Sequence, residues 1–179
     1  NSNLIIEGGE IYVNGPTNDG NGALDYDGTA TISGGTFVAV GSSGMAQGFS
    51  DSSTQCSILY NLSSSHSTDE KITLADSSGN EIISYTSTKQ FSSVVISSAK
   101  ITKSGTYKLT VGSESYDIEM SSTVYSNGSN GFGGGGMGGN KPEGFGRGNN
   151  GKPPKMPNGE NSGMTPPDKP SRETSTTNT

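Results

Sequence analysis

Residues 1–50 repeat one pattern of apolar and glycine positions at a spacing of 26 residues. Each copy holds an alternating apolar run, a Gly-Gly pair and a second alternating run, and such runs are typical of strands. The first copy has Ile6, Gly8, Gly9, Ile11 and Val13, and the second has Ile32, Gly34, Gly35, Phe37 and Ala39. A fixed period of this size is typical of a solenoid, and paired glycines suit a corner that needs positive φ or close backbone approach. The pattern predicts stacked β coils in which Ile6 and Ile32 occupy equivalent inward positions.

After Val40 the repeat ends, and the chain continues as short alternating runs separated by turn residues. The predicted strands span 54–62, 71–75, 81–86, 92–98, 106–111 and 115–120. Residues 76–80 and 112–114 have the composition of hairpin loops between neighbouring runs. Residues 51–125 are therefore predicted to form a small antiparallel β sandwich. Such a unit would cap the strand edges and core that the open end of a solenoid exposes.

The composition changes near Ser126. The hydrophobic fraction of the whole chain is 27%, against about 45 to 50% in globular domains. Residues 126–179 contain 14 of the 28 glycines and 7 of the 8 prolines, and such a segment cannot bury enough apolar surface to offset the entropy of ordering it. The sequence thus predicts an all-β chain with coils at 1–50, an antiparallel β cap at 51–125 and a disordered, low-complexity tail at 126–179.

Charge narrows the choice of partner. Residues 1–125 carry 13 acidic side chains against five lysines, and no Lys or Arg precedes Lys71. An acidic surface of this kind repels phosphates and attracts cations, so nucleic-acid binding is not expected. No apolar run reaches the length of a membrane span. The chain begins inside the repeat, and because about three or more repeats are normally needed for a stable solenoid, we expect further coils upstream.

One stretch carries a family likeness. The string GALDYDGTATISGGTFVAVGSSGMAQ, with STQCSIL and FSSVVISS, resembles a family of secreted bacterial carbohydrate-binding proteins that also bind calcium. The likeness covers about residues 3–120. It implies a right-handed parallel β-helix similar to that of pectate lyases, an extracellular or cell-surface location, and binding to cellulose or acidic plant polysaccharides. The repeated Asp-Asp-Gly motifs of the family's upstream coils are not present in this sequence.

Three carboxylates between the two copies form the candidate metal site. Asp25 and Asp27 are two residues apart in a stretch expected to be extended, and Asp19 lies in the loop before them. Ca²⁺ takes six to eight oxygen ligands, which loops rich in Asp, Asn and Gly supply. The spacing is not that of an EF-hand, because Ala30 stands twelfth from Asp19. The alternative is that all three aspartates are turn formers and solvated rim charges.

Tyr12 and Tyr26 are the candidate carbohydrate-binding residues. Aromatic faces with a few planar polar groups are the usual sugar-binding surface, and Tyr12 alternates outward between Ile11 and Val13. The alternative is that each tyrosine packs on a neighbouring coil. The sequence has no Trp, which argues against a flat platform for crystalline cellulose.

The remaining reactive side chains do not suggest catalysis. Residues 1–70 contain no Lys or Arg to act as the base of a polysaccharide lyase. His66 lies in a polar turn and is expected to be exposed, and Cys56 is expected to be a small buried hydrophobe. The prediction is a non-catalytic, calcium-assisted polysaccharide-binding module. The alternatives are a structural surface or adhesin segment and, in third place, a lyase or a hydrolase that uses Asp25 and Asp27.

Overall fold

The computed structural model describes residues 2–128, and this part of the chain folds as β structure without a helix. The strands are β1 Leu4–Ile6, β2 Glu10–Asn14, β3 Ala30–Ile32, β4 Thr36–Gly41, β5 Ser57–His66, β6 Lys71–Asp76, β7 Glu81–Thr86, β8 Phe91–Ser98, β9 Thr106–Val111, β10 Glu114–Glu119 and β11 Val124–Ser126. Residues 2–128 thus offer no helix that is long and apolar enough to cross a membrane. The all-β prediction is confirmed for these residues.

The 26-residue spacing of the sequence equals the offset between paired residues of the parallel strands. β1 pairs in parallel with β3, and β2 pairs in parallel with β4. Leu4 lies opposite Ala30 and Ile6 opposite Ile32, so the predicted equivalence of the two isoleucines is confirmed. Both strand pairs have the same 26-residue offset because the Gly-Gly corners between the strands also stack. At these corners the Thr36 amide donates a hydrogen bond to the Gly9 carbonyl at 2.8 Å.

The second Gly-Gly pair is required by this stacking. A Cβ added to Gly34 would lie 2.6 Å from the carbonyl oxygen of Glu7, and one added to Gly35 would lie 2.5 Å from that of Gly9. Gly35 also has a φ of 90°, where side chains are strained. Glycine at these positions lets two corners approach closely enough for the strands on both sides to pair.

The later strands cover the edge of β4 that β2 leaves free. β8 pairs antiparallel with β4 and also with β5, giving one five-stranded sheet in the order β11-β5-β8-β4-β2. Segment 50–55 runs along β3, where the Ser50 amide donates to Ala30 at 2.8 Å and the Gln55 amide to Ile32 at 3.1 Å. The predicted boundary at residue 50 runs through the five-stranded sheet, because β2 and β4 precede it while β5 and β8 follow it.

A four-stranded antiparallel sheet, in the order β10-β9-β6-β7, makes a further layer. The two predicted hairpins are both present, with Gly79 at φ 83° and Gly112 at φ 56° in their turns. Residues Tyr107, Leu109 and Val111 are buried on one face of β9, as the alternating pattern predicts. The turn chemistry and the period of two therefore place these strands correctly.

Two hydrophobic clusters lie on opposite faces of the five-stranded sheet. On β4, Val38 and Val40 belong to the cluster shared with the four-stranded sheet, and Phe37 and Ala39 belong to the cluster shared with β1 and β3. Both faces of β4 are buried, so the strand is apolar at four successive positions rather than alternating.

The predicted tail lies mostly outside the described residues. Ser126, its first residue, is the last residue of β11 and pairs with Leu59. Asn127 exchanges two hydrogen bonds with the backbone of Asn61, at 2.7 and 2.8 Å. The folded part therefore continues at least to residue 128, and residues 129–179 lie outside the part that the structure describes.

Candidate functional site

The candidate site is a stacked tyrosine pair at one edge of the molecule. Tyr12 on β2 and Tyr85 on β7 lie with ring centroids 5.3 Å apart and ring planes 11° from parallel. β2 is the edge strand of the five-stranded sheet and β7 is the edge strand of the four-stranded sheet. Tyr12 is 47% exposed and is the one exposed aromatic side chain within residues 2–128, whereas Tyr85 is half-buried.

Asn14 fixes this pair. Its Nδ2 donates to the Tyr85 hydroxyl at 2.6 Å, and its Oδ1 accepts a hydrogen bond from the Thr88 amide at 3.1 Å. Side chains two residues apart on a strand share a face, so Asn14 and Tyr12 lie on the same face of β2. This face of β2 packs against β7. Glu10 has the same parity and is exposed, so its carboxylate lies on the same face of β2 as the Tyr12 ring.

Tyr26 has a different environment. It is half-buried, and its ring packs against the cluster that contains Ile32 and Phe37. Its hydroxyl donates to the Gly48 carbonyl, its amide donates to Gln47 Oε1 at 3.2 Å, and burial raises the pKa of the hydroxyl. Tyr26 therefore ties two loops together, and it lies on the opposite face of the five-stranded sheet from Tyr12. The structure does not bring the two predicted sugar-binding tyrosines together.

The three aspartates of the predicted calcium site lie in loops. Asp19 accepts a hydrogen bond from the Ser42 hydroxyl, and a Cβ added at Gly44 would overlap its side chain. Asp25 and Asp27 are exposed on either side of Tyr26, in a segment that forms no strand. Within residues 2–128, no three His, Cys, Asp or Glu side chains lie close enough to hold a metal ion. The residues present do not fit a site of three carboxylates, and calcium binding stays a prediction.

Comparison of the chain with protein-family models, with curated proteins and with solved structures finds no match. The family likeness therefore rests on the sequence strings that carry it.

His66 differs from expectation. The histidine is 6% exposed, so the prediction of an exposed turn residue is wrong. β5 continues to His66, whose Nδ1 lies 2.7 Å from Glu70 Oε2 and whose ring stacks on Phe91 at 5.6 Å. Its Nε2 is 3.8 Å from Glu114 Oε2, too far for a hydrogen bond. No local spacing indicates this burial, because the pairing of β5 with β8 shifts register between Asn61 and His66.

Glu70 and His66 form a hydrogen-bonded polar pair at one end of the sandwich. The hydrogen bond from His66, helped by one from the Ser67 amide at 3.0 Å, holds the pKa of the Glu70 carboxyl below its usual value. Both carboxylate oxygens are thus engaged. This arrangement joins the end of β5 to the loop before β6.

Cys56 is buried and free, so its prediction as a small buried hydrophobe is confirmed. Burial raises the pKa of the thiol, and the positive charge of Lys103 opposes this effect. A thiol with a raised pKa is a poor nucleophile at neutral pH.

A second tyrosine group was missed by the sequence analysis. Tyr60 lies 4.8 Å from Tyr116 and 6.5 Å from Tyr125, measured between ring centroids. All three rings are half-buried, and they fill the edge of the sandwich opposite β2. Burial raises the pKa of Tyr116 and of Tyr125. Because these rings cover one another and the core, they close the sandwich instead of presenting a free aromatic face.

Proposed function

We propose that this chain is an extracellular or cell-surface module that binds polysaccharide and does not catalyse its cleavage. The observation that carries the proposal is the exposed ring of Tyr12, stacked on Tyr85, whose hydroxyl accepts a hydrogen bond from Asn14. The family likeness points to the same class of ligand.

The tyrosine pair has the features of a sugar-stacking surface. The CH-rich face of a pyranose packs against an aromatic face, and one face of the Tyr12 ring is already covered by Tyr85. The opposite face is the one available to a sugar. Because Tyr85, which Asn14 fixes, stacks on the Tyr12 ring before any ligand arrives, less side-chain entropy is lost on binding than for a free tyrosine.

The charges around the ring favour a neutral polymer. Glu10 can accept hydrogen bonds from sugar hydroxyls, whereas it would repel a uronate carboxylate. Neither β2 nor β7, the two strands that carry the tyrosine pair, contains a Lys or Arg to offset it. Cellulose or a related neutral glucan is therefore the preferred ligand, and an acidic polymer would need a bridging cation.

The fold that supports this site is proposed to be the end of a right-handed parallel β-helix. Two stacked strand pairs with one common offset, joined by stacked glycine corners, support a solenoid. The right-handed sense follows from the family likeness and from the general hand of parallel crossover connections. The antiparallel strands after residue 50 then cover the last coil.

Calcium assistance is a separate part of the proposal. Asp25 and Asp27 are exposed, and Ca²⁺ could draw further oxygens from backbone carbonyls and water. We expect Ca²⁺ to raise the melting temperature with the saturation of its site, and Asp27→Asn to reduce this effect while the exposed Asp51→Asn does not. Equal responses to Ca²⁺ in all three chains would place any site elsewhere, and no response in any of them would make these aspartates turn residues.

Binding is tested by retention of the 179-residue chain on insoluble cellulose and on immobilised polygalacturonate, each with Ca²⁺ and with a chelator. We expect retention on cellulose in both conditions and loss of retention in Tyr12→Ala. If neither polymer retains the unmodified chain, the module is a structural surface segment, which was the first alternative from the sequence.

A further inference from the structure

Three Asn-Gly pairs lie within the described residues, and this dipeptide is chemically labile. The pairs are Asn14-Gly15, Asn21-Gly22 and Asn127-Gly128. Because glycine has no Cβ, its backbone nitrogen can closely approach the side-chain amide carbon of the preceding asparagine. Attack at that carbon turns the asparagine into an acidic residue, so each pair is a candidate site for a modification that changes charge.

The fold restrains the first pair at both of its reacting groups. Asn14 Nδ2 donates to the Tyr85 hydroxyl at 2.6 Å, and Asn14 Oδ1 accepts a hydrogen bond from the Thr88 amide at 3.1 Å. The Gly15 amide donates to the Val40 carbonyl at 2.7 Å and so continues the pairing of β2 with β4. Ring closure at Asn14 would break all of these hydrogen bonds.

The side-chain amide of the third pair is also bonded. Asn127 Nδ2 donates to the Asn61 carbonyl at 2.8 Å, and Asn127 Oδ1 accepts a hydrogen bond from the Asn61 amide at 2.7 Å. The Gly128 amide donates to Ser126 Oγ at 3.3 Å. Asn127 is exposed, so its protection comes from these hydrogen bonds and not from burial.

The second pair has none of these restraints. Asn21 is exposed, and within residues 2–128 its Nδ2 has no hydrogen-bond partner and the Gly22 amide donates to no backbone carbonyl. The Gly22 amide instead lies 2.8 Å from Oδ1 of Asn21 itself. The nitrogen and the side-chain carbonyl that must combine are therefore already neighbours.

We propose that Asn21 is a site of spontaneous deamidation in the folded chain. The Gly22 nitrogen gives up its proton to water or hydroxide and attacks Cγ of Asn21. A C–N bond forms and closes a cyclic imide, the Cγ–Nδ2 bond breaks, and the leaving group takes up a proton and departs as ammonia. Water then adds to either carbonyl of the imide and opens it to aspartate or to isoaspartate. Water is the only co-reactant, and nothing is oxidised or reduced.

The products change segment 18–27. Both add a negative charge to a segment that already holds three aspartates and no basic residue. Gly22 packs tightly, because a Cβ added there would lie 2.4 Å from the Met45 carbonyl oxygen. Isoaspartate routes the main chain through the former side chain and lengthens it beside this contact, so it loosens segment 18–27 from residues 42–46. Aspartate keeps the native main chain. None of this depends on sugar binding.

The test is incubation of the native 179-residue chain in mildly alkaline buffer, followed by peptide mass spectrometry at each pair. Each site is compared with its own rate in the chain unfolded in urea, where the hydrogen bonds of the fold are absent. Peptides with the Asn-Gly pairs beyond residue 128 are read separately. Asn21→Gln is the control chain, because a glutamine side chain would have to close a larger ring.

We expect the native rate at Asn21 to stay close to its unfolded rate. Asn14 and Asn127 should react about tenfold or more slowly in the native chain, because their hydrogen bonds must break first. The melting temperature of the incubated chain should fall as isoaspartate accumulates. Incubated Asn21→Gln should keep its melting temperature, and fresh Asn21→Asp should melt close to the unmodified chain.

Two results would overturn the proposal. The first is slowing of Asn21 by the native fold as strongly as Asn14. The second is a native rate at Asn127 that exceeds the rate at Asn21. An incubated chain that has formed isoaspartate at this position and keeps its melting temperature would contradict the loosening of segment 18–27.

Discussion

Asn14→Ala should weaken the contact between β2 and β7. The change removes the hydrogen bonds to the Tyr85 hydroxyl at 2.6 Å and from the Thr88 amide at 3.1 Å. Ser87 Oγ also lies 3.2 Å from Asn14 Oδ1, but its loss adds little to the free-energy change. The Ser87 hydroxyl has one proton and donates it to the Lys89 carbonyl at 2.6 Å. Both partners can reach water in the variant, so each bond is taken at about 0.5–1 kcal/mol, in the lower part of the usual range, and the two together give a loss of about 1–2 kcal/mol.

The assay is urea unfolding at equilibrium, supported by thermal melting. A loss of about 1–2 kcal/mol corresponds to a fall of about 4–8 °C in melting temperature for a folded part of this size. Asn18→Ala is the matched control, because Asn18 makes one exposed local bond, to the Gly20 amide at 3.1 Å, and should cost less than about 0.5 kcal/mol. Equal stability of the two variants would show that Asn14 does not join the sheets, and the argument for a fixed tyrosine pair would then fail.

The other stability predictions concern the core and two reactive groups. Ile32→Asp should destabilise the chain by more than about 3 kcal/mol in urea unfolding, because it buries an unpaired charge. The control Ile5→Asp should not, because Ile5 is 67% exposed. Similar effects of the two substitutions would contradict the inward position of Ile32. The pKa of Glu70 is lowered in the folded state, so the stability that Glu70 contributes is present above about pH 4.3 and is lost as the pH falls through the folded-state pKa. The difference in unfolding free energy between the wild type and Glu70→Gln should therefore shrink on acidification. A difference that stays constant with pH would contradict this. Cys56 should react with a thiol reagent only in denaturant, and rapid modification of the native chain would show that the thiol is accessible.

The sequence was sufficient for features that depend on local spacing. The offset between Ile6 and Ile32 is the strand register, because stacked Gly-Gly corners permit one alignment of the flanking strands. The turns at Gly79 and Gly112 were predictable because glycine alone adopts positive φ without strain. These signals lie within a few residues of the structure they determine.

Features that depend on distant pairing were not predictable from spacing. β8 lies between β4 and β5 in the sheet, although both precede it in sequence. Tyr85, the partner of Tyr12, comes from a hairpin of the other sheet, and nothing near Tyr12 in the sequence indicates it. Burial of His66 likewise depends on Phe91 in β8, which pairs with it across a bulge. Each of these contacts follows from how the sheets pack, which a single sequence does not encode locally.

The central claim is that the free face of Tyr12 holds the sugar, and calorimetry with a soluble cello-oligosaccharide tests it most directly. Tyr12→Phe should bind as the wild type does, because the ring face is kept, whereas Tyr12→Ala should lose about tenfold or more in affinity, about 1.4 kcal/mol. Tyr26→Phe removes the hydroxyl that donates to Gly48, so it should lower stability and leave the affinity unchanged. Wild-type affinity in Tyr12→Ala, or a loss of affinity in Tyr26→Phe alone, would contradict the claim.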